Sequence, residues 1–253
     1  MRVLFTICGR AGSEGIKNKN IRDFIGKPLP YYSLSAIDLY LKKHKDVEYD
    51  IAVNSDSEIL LDMMKKNGLR AVELIRRKST LAGDAVGKIA VIENCVREMK
   101  RRGKSSYDVV VDFDITSPLR KVEDIENLLN MHFEKNPDVT TSVVPARRNP
   151  FFNQVIKTDK GVKKVIKSNY TARQQAPEIY DMNASLYAYS PKFLMSGKGV
   201  LDGYCEVIEM YDTGILDLDH ENDFELMEVI ASYLFKVNPK FAEIQDNILE
   251  ENT

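Results

Sequence analysis

Residues 7 to 20 read ICGRAGSEGIKNKN, with three glycines, an arginine and two lysines behind the short apolar run VLFTI. A glycine-rich basic loop at the end of a strand can hold a phosphate, because backbone N–H groups reach its oxygens where no side chain intervenes. The spacing matches neither GxxxxGK[ST] nor GxGxxG, so taken alone the segment is equally a tight turn with solvated cations. Two further clusters bear on the same chemistry. Asp217 and Asp219 are one residue apart in GILDLDHENDFELME, which on an extended strand turns both carboxylates to one face. So placed, they can hold one Mg²⁺ whose shell is completed by waters and phosphate oxygens, or form a solvated strand end. Asp223, at the start of a helical pattern, suits N-terminal capping better than metal ligation. Asp112 and Asp114 repeat the alternation beside Thr116, Ser117 and Arg120. They are placed to orient sugar hydroxyls or a second metal ion, or to be satisfied by backbone N–H groups; the functional reading is favoured for Asp114. Arg120 pairs either a phosphate or an acidic neighbour.

These residues need elements to position them. VLFTI, YDIAV, AVELI, YDVVVDF and VTTSVV are short β-rich runs bounded by turn or charged residues. Between them lie the helical patterns YYSLSAIDLYLKK, SEILLDMMKKNG with Ser57 as N-cap and Gly68 at its end, AVGKIAVIENCVREMKRRG and VEDIENLLNMHFEKN. Strand and helix alternate to about residue 144, which predicts an α/β fold with a doubly wound, mostly parallel sheet. FFNQVIKTDKGVKKVIKSNY then reads as a lysine-rich hairpin around Asp159 to Gly161, so residues 145–190 are expected to form an inserted β-rich arm. The main domain is expected over 1–144 and 191–240, closing with a strand and the helix DFELMEVIASYLFKV, and 241–253 as a frayed acidic tail. A formal charge of −2 over 253 residues, with charges mixed along the chain, argues against a nucleic-acid partner. Cys8, Cys95 and Cys205 are odd in number and lack a CxxC, so neither a disulfide framework nor a zinc knuckle is indicated. No stretch approaches the roughly 20 apolar residues of a membrane span, and the first apolar run is too short for a signal peptide. A cytoplasmic protein without a membrane partner is expected. His44, His132 and His220 show no partner pattern and receive no catalytic role.

Three segments in order, DFDITSPLR, RQQAPEIYDMNASLY and GILDLDHENDFELME, together with the loop, resemble the CMP-sialic acid synthetases, cytidylyltransferases that activate nine-carbon 2-keto acid sugars. The family loop ARxGSKGIxxKN is matched by Gly9, Arg10, Gly12, Ser13, Gly15, Lys19 and Asn20, followed by GKPLPYYSLSA. IRRKSTLAGD is similar to RPxxLAxD through Arg77 and Asp84, and the likeness runs from residue 3 to about residue 230. It implies a nucleotide-diphospho-sugar transferase-like (Rossmann-like) fold and a homodimer, with the arm reaching toward the partner. It also implies a nucleotide site at Gly9, Arg10, Gly12, Ser13, Lys19, Asn20, Arg77 and Asp84, to which Lys88 at a helix start adds a contact. The sugar is implied to meet Asp114, Thr116, Ser117, Arg173, Gln174 and Asn183; Arg173 and Gln174 match the RQ element that binds the sugar carboxylate, a task for which a planar guanidinium is suited. Asp217 and Asp219 fall on DLDxxxD, the implied Mg²⁺ (or Mn²⁺) site. Three positions depart from the pattern: Glu14 stands at a usual lysine, Asp114 at a glutamine of LQPTSPLR, and Ala184 at the glycine of NG. VDFDITSPLR, LAGDAVGKI and RRNPFFNQV look more like the branch associated with legionaminic acid and related bacterial nonulosonic acids.

Nucleotidyl transfer builds negative charge on the α-phosphate and the departing pyrophosphate, so it needs fixed cations and a divalent metal more than a covalent catalyst. Arg10 and Lys19 supply cations; with Asp217 and Asp219 they form the expected catalytic set, and CTP and a nonulosonic acid are the expected substrates. No side chain stands out as the base, and Asp217, Asp219 or a metal-bound hydroxide are candidates. Two alternatives stand beside this reading. A CMP-Kdo-type enzyme is expected to carry a loop like RxxSxRLPGKPL, which is absent. A noncatalytic nucleotide sensor would account for Glu14 and Ala184 as decay, but not for Arg10, Lys19, Asp217 and Asp219 standing together.

Overall fold

Alternation along the first strand, β1 (Arg2–Gly9), divides its side chains between two interiors: Val3, Phe5 and Ile7 enter one hydrophobic cluster and Leu4 the other. The strand β6 (Val109–Phe113) does the same, with Val109, Val111 and Phe113 on one side and Val110 on the other. Strands apolar on both faces need helices on both faces. The computed structural model describes residues 1–12, 15–83, 86–214 and 218–248. Among these, α1 (Leu29–Lys43), α2 (Glu58–Lys65), α4 (Val122–Lys135), α6 (Glu221–Val237) and α7 (Pro239–Asp246) contribute to the larger cluster. On the opposite face lie α3 (Lys88–Arg101) and the short α5 (Pro191–Leu194).

Seven strands of the described residues form the sheet, in the order β11-β7-β10-β6-β1-β4-β5. Its other members are β4 (Glu48–Ser55), β5 (Glu73–Arg76), β7 (Val139–Pro145), β10 (Tyr180–Tyr189) and β11 (Cys205–Glu209). All pairings are parallel except those of β10, which runs antiparallel to β6 and β7. The small hairpins β2 (Asp23–Phe24) with β3 (Lys27–Pro28), and β8 (Val155–Thr158) with β9 (Gly161–Lys164), stand outside it. The mostly parallel, doubly wound α/β expectation therefore agrees with the structure. Ser57 caps α2 by accepting from the Leu60 N–H at 3.2 Å, and Gly68 follows with φ of 69°.

Two boundaries differ. The arm expected over 145–190 gives up its last ten or so residues, because Tyr180–Tyr189 is β10, filling the sheet between β6 and β7. Its alternating run is the signature of a strand, and two neighbours rather than a free hairpin satisfy its backbone. The tail expected over 241–253 is helical as far as Asp246, and Phe241, Ile244 and Ile248 are buried in the main core. Its charges mask an i, i+3 apolar spacing that docks on α1. No helix of the described residues is long and apolar enough to cross a membrane.

His132 of α4 is buried, its Nδ1 3.0 Å from the Thr140 hydroxyl of β7, and burial lowers its pKa to about 4. An unfolded histidine titrates near 6.5, so between about 6.5 and about 4 the unfolded chain takes up a proton that the folded chain refuses, and stability falls as pH falls. His132→Asn is expected to flatten that part of the profile. Urea unfolding of both proteins at pH 7 and pH 5 checks it: an equal loss on acidification would remove His132 as the cause.

Candidate active site

The chain winds outward from β1 through β4 to β5, then returns by α3 to β6 on the other side of β1. At such a switch point the loops leaving neighbouring strands part at the carboxyl ends. A cleft of about 240 Å³ opens there, and Arg10, Lys19, Asn20, Arg77, Lys88, Asp114 and Thr116 all line it. A larger hollow of about 560 Å³ between α2 and α3 carries no comparable chemistry: its Arg76, Arg101 and Arg102 are paired with Glu58, Glu98 and Glu73.

The loop above β1 is closed by its own side chains. Asn20 Nδ2 donates to the Arg10 carbonyl at 3.1 Å, the Ala11 N–H donates to Asp56 Oδ1 at 2.9 Å, and Ile16 is fully buried as an anchor. Gly9 lies beneath the loop, where a Cβ would stand 2.6 Å from Leu60 and 2.9 Å from Ile115; it provides close strand-to-helix packing. Among the described residues, chain neighbours apart, no atom lies within 4 Å of the Gly12 Cβ position. Gly15 is the tightest point: a Cβ would lie 1.8 Å from the Asp219 carbonyl oxygen. Lys19 completes this junction, donating to the Leu218 carbonyl and lying 3.6 Å from Asp219 Oδ1. Loop and C-terminal segment, some 200 residues apart in sequence, are thus one surface. Ser13, Glu14, Asp84 and Asp217 lie outside the described residues.

Opposite the loop, the end of β6 forms a charged floor. Lys88, the first residue of α3, places Nζ 2.7 Å from Asp112 Oδ2 and 2.5 Å from Asp114 Oδ2. Asp112 Oδ1 accepts from the Thr6 hydroxyl at 2.7 Å, and Asp114 Oδ1 from the N–H and hydroxyl of Thr116 at 3.1 and 2.8 Å. Burial alone would push the Lys88 ammonium down, but the two carboxylates outweigh it and hold Lys88 well above the usual lysine range. Burial likewise would raise Asp114, and Lys88 with Thr116 holds it below the usual carboxylate range. Arg77 is aimed by Asn54, whose Oδ1 accepts from Nε and whose carbonyl accepts from Nη2, both at 2.9 Å. Asn54, Asp56 and Thr6 were not singled out in the sequence, although the run NSDS directly after an apolar strand is the signal of a polar strand end.

Other residues lie elsewhere. Arg120 has no ion pair among the described residues: fully buried, it donates to Ser33 Oγ at 2.7 Å and to the Asp114 and Ser117 carbonyls at 2.6 and 2.5 Å. Arg173 and Gln174 line a separate cavity of about 430 Å³ where the arm meets β10, and Arg173 donates to the Ala146 carbonyl at 2.8 Å. Asn183 is buried in a β10 irregularity, its Oδ1 accepting from Ser142 Oγ at 2.5 Å, which turns that oxygen into the sheet. Asp223 accepts from the His220 N–H at 2.8 Å, the expected capping role.

A cytidylyltransferase family profile matches residues 4–233. The chain belongs to this family. It is 33% identical over 239 residues to a CMP-N,N'-diacetyllegionaminic acid synthase of Campylobacter jejuni, covering 94% of this chain and 98% of that one. It is 34% identical over 229 residues to a Campylobacter coli protein named post-translational flagellin modification protein B, covering 90% and 94%. Among solved structures, a CMP:2-keto-3-deoxy-manno-octonic acid synthetase complexed with CTP superposes with a TM-score of 0.61 at 14% identity, over 92% of this chain and 99% of that one; the fold is shared.

Two substitutions test this cytidylyltransferase's loops. Gly15→Ala must displace either the basic loop or the Asp219 segment, so kcat/KM is expected to fall by about 100-fold or more, the scale on which small misplacements cost rate. Unchanged kinetics would show that the junction is not needed. Ala184, at the NG glycine position, adopts φ of 50°. Left-handed backbone costs an alanine about 1–2 kcal/mol, so Ala184→Gly is expected to raise unfolding stability by about 1 kcal/mol, and a fall in Tm would overturn the strain.

Proposed function

We propose that the chain transfers CMP from CTP to the anomeric hydroxyl of a nine-carbon 2-keto acid sugar of the legionaminic or sialic type, releasing pyrophosphate. The observation that carries this reading is the junction of Lys19 with Asp219 over Gly15, beside a cleft at the switch point that Lys19 and Arg10 line together with Asp114. Arg10, Lys19 and Arg77 form a cationic wall for the triphosphate, and the open space over Gly12 lets backbone approach it. Opposite them, Asp114, Thr116 and Ser117 suit a hydroxyl-rich sugar. The sugar hydroxyl attacks the α-phosphorus in line, its proton passing to a carboxylate for which Asp219 is the described candidate.

Asp219 has a two-thirds exposed side chain with hard oxygen donors, which suits Mg²⁺ or Mn²⁺, an ion that commonly takes one or two carboxylates plus substrate phosphates. Asp219, and by sequence Asp217, would hold it. When bound, it would neutralise charge developing on the phosphates.

A homodimer accords with the arm, where Val155, Ile156, Val162, Val165 and Ile166 are exposed. Arg173 and Gln174 lie in a cavity that shares no lining residue with the cleft, so their proposed task on the sugar carboxylate is best met in a partner's cleft. Three free cysteines accord with a reducing cytoplasm.

Pyrophosphate release tests the reading. CTP is expected to support turnover with a nonulosonic acid from a panel, and ATP or GTP is not; equal turnover with all three overturns the nucleotide assignment. Arg10→Ala is expected to lower kcat by about 100- to 1,000-fold while CTP binding changes far less, as for a group acting mainly on transition-state charge. Normal turnover would put the triphosphate elsewhere.

A further inference from the structure

The charged floor of the cleft contains its own cation. Lys88 Nζ sits between the Oδ2 atoms of Asp112 and Asp114, at 2.7 and 2.5 Å, and the remaining oxygen of each carboxylate is occupied by Thr6 or Thr116. Asp112 is fully buried, so this geometry does not arise from two mobile surface chains. Two aspartates alternating on one strand are the arrangement that could hold a divalent ion, which would need the same Oδ2 atoms at about 2.0–2.1 Å. An ammonium hydrogen-bonded to Asp114 Oδ2 and ion-paired at 2.7 Å with Asp112 Oδ2, a buried oxygen with no other partner among the described residues, stands where that ion would have to sit. The trio also sums to one negative charge, so Lys88 has no surplus positive charge to offer a triphosphate, unlike Arg77, whose guanidinium donates to the neutral oxygens of Asn54.

We propose that Lys88 is a built-in cation that replaces a second metal ion in the cleft, and a positioning residue that fixes Asp114 and, through Thr116, the turn leaving β6. The inference deepens the nucleotidyl-transfer reading by confining metal to the Asp219 side and by taking Lys88 out of the nucleotide contacts. Arg120 holds the same turn from beneath through the Asp114 and Ser117 carbonyls, so the turn is fixed from two sides by two cations with separate tasks. Removing the ammonium exposes two adjacent carboxylates to each other and opens a vacancy suited to Mn²⁺.

Lys88→Met tests this in the full chain. Equilibrium Mn²⁺ binding without nucleotide, followed by electron paramagnetic resonance, is expected to show one more bound ion per chain than wild type. Mn²⁺ is expected to raise the Tm of the variant more than that of wild type, a readout that also serves if the metal-free variant is poorly folded. Metal-free CTP affinity is expected to stay within about threefold, and kcat with Mg²⁺ to fall about 10- to 100-fold, the usual range for a group that orients others. Lys88→Met/Asp112→Asn, which removes the added negative charge, is expected to bind only the wild-type number of ions. Wild-type Mn²⁺ stoichiometry in Lys88→Met, an extra ion retained in the double variant, or a tenfold loss of CTP affinity with kcat preserved would each overturn the proposal. The Mn²⁺ measurements require no turnover, so their failure is distinguishable from failure of the cytidylyl-transfer reading.

Discussion

The contact on which this cleft depends is a backbone against a backbone: Gly15 over the carbonyl of Asp219. A Cβ at residue 15 would overlap that oxygen at 1.8 Å, so the two segments meet only because the side chain is missing. Once they meet, Lys19 bonds the Leu218 carbonyl and faces Asp219, and the basic loop acquires its acidic neighbour. Neither segment is held by regular secondary structure at that point. Their relative position is inherited from β1 on one side and from α6, capped by Asp223, on the other.

The opposite wall is fixed by cations used internally. A guanidinium removed from water is costly unless its donors are satisfied, and Arg120 meets that condition with hydroxyl and carbonyl oxygens, not carboxylates. Burial lowers its pKa to about 10, which leaves it charged at neutral pH. By gripping the Asp114 and Ser117 carbonyls it sets the turn after β6, while Lys88 sets the Asp114 side chain. Backbone and side chain of one residue are thus positioned by separate charges.

Much of this was legible in the sequence, for reasons that differ by residue. The alternation that buries Phe5 and Leu4 on opposite faces made the doubly wound sheet readable, and Ser57 and Gly68 marked the ends of α2 as local chemistry dictates. Gly15 could be seen as one of several glycines, but not as the one against Asp219, because sequence carries no record of which distant backbone approaches. Lys88 was visible as a cation at a helix start; only the register of α3 against β6 shows that its charge is consumed by Asp112 and Asp114. The boundary of the arm was misread because an antiparallel strand inserted between parallel ones has the same alternating pattern as a free hairpin. The helix α7 was hidden by the charges around Phe241 and Ile244.

The two walls differ in what they can offer a ligand. On the loop side Arg77 is held by Asn54 through neutral oxygens, so its positive charge remains available to the cleft. On the floor side the cation is enclosed by carboxylates and the local sum is negative. On the proposed reading, a polyphosphate and a polyhydroxylated sugar entering together would be sorted by charge: phosphate drawn to the loop and repelled from the floor, whose carboxylates would accept from hydroxyl donors. Because the groups on each wall are bonded to neighbouring residues before any ligand arrives, little reorganisation is required when charge develops during transfer, the condition under which fixed charges act most strongly. On the proposed reading, the orientation of the two substrates follows from the asymmetry between Arg77 and Lys88, two cations lining one cleft whose partners give them opposite effects.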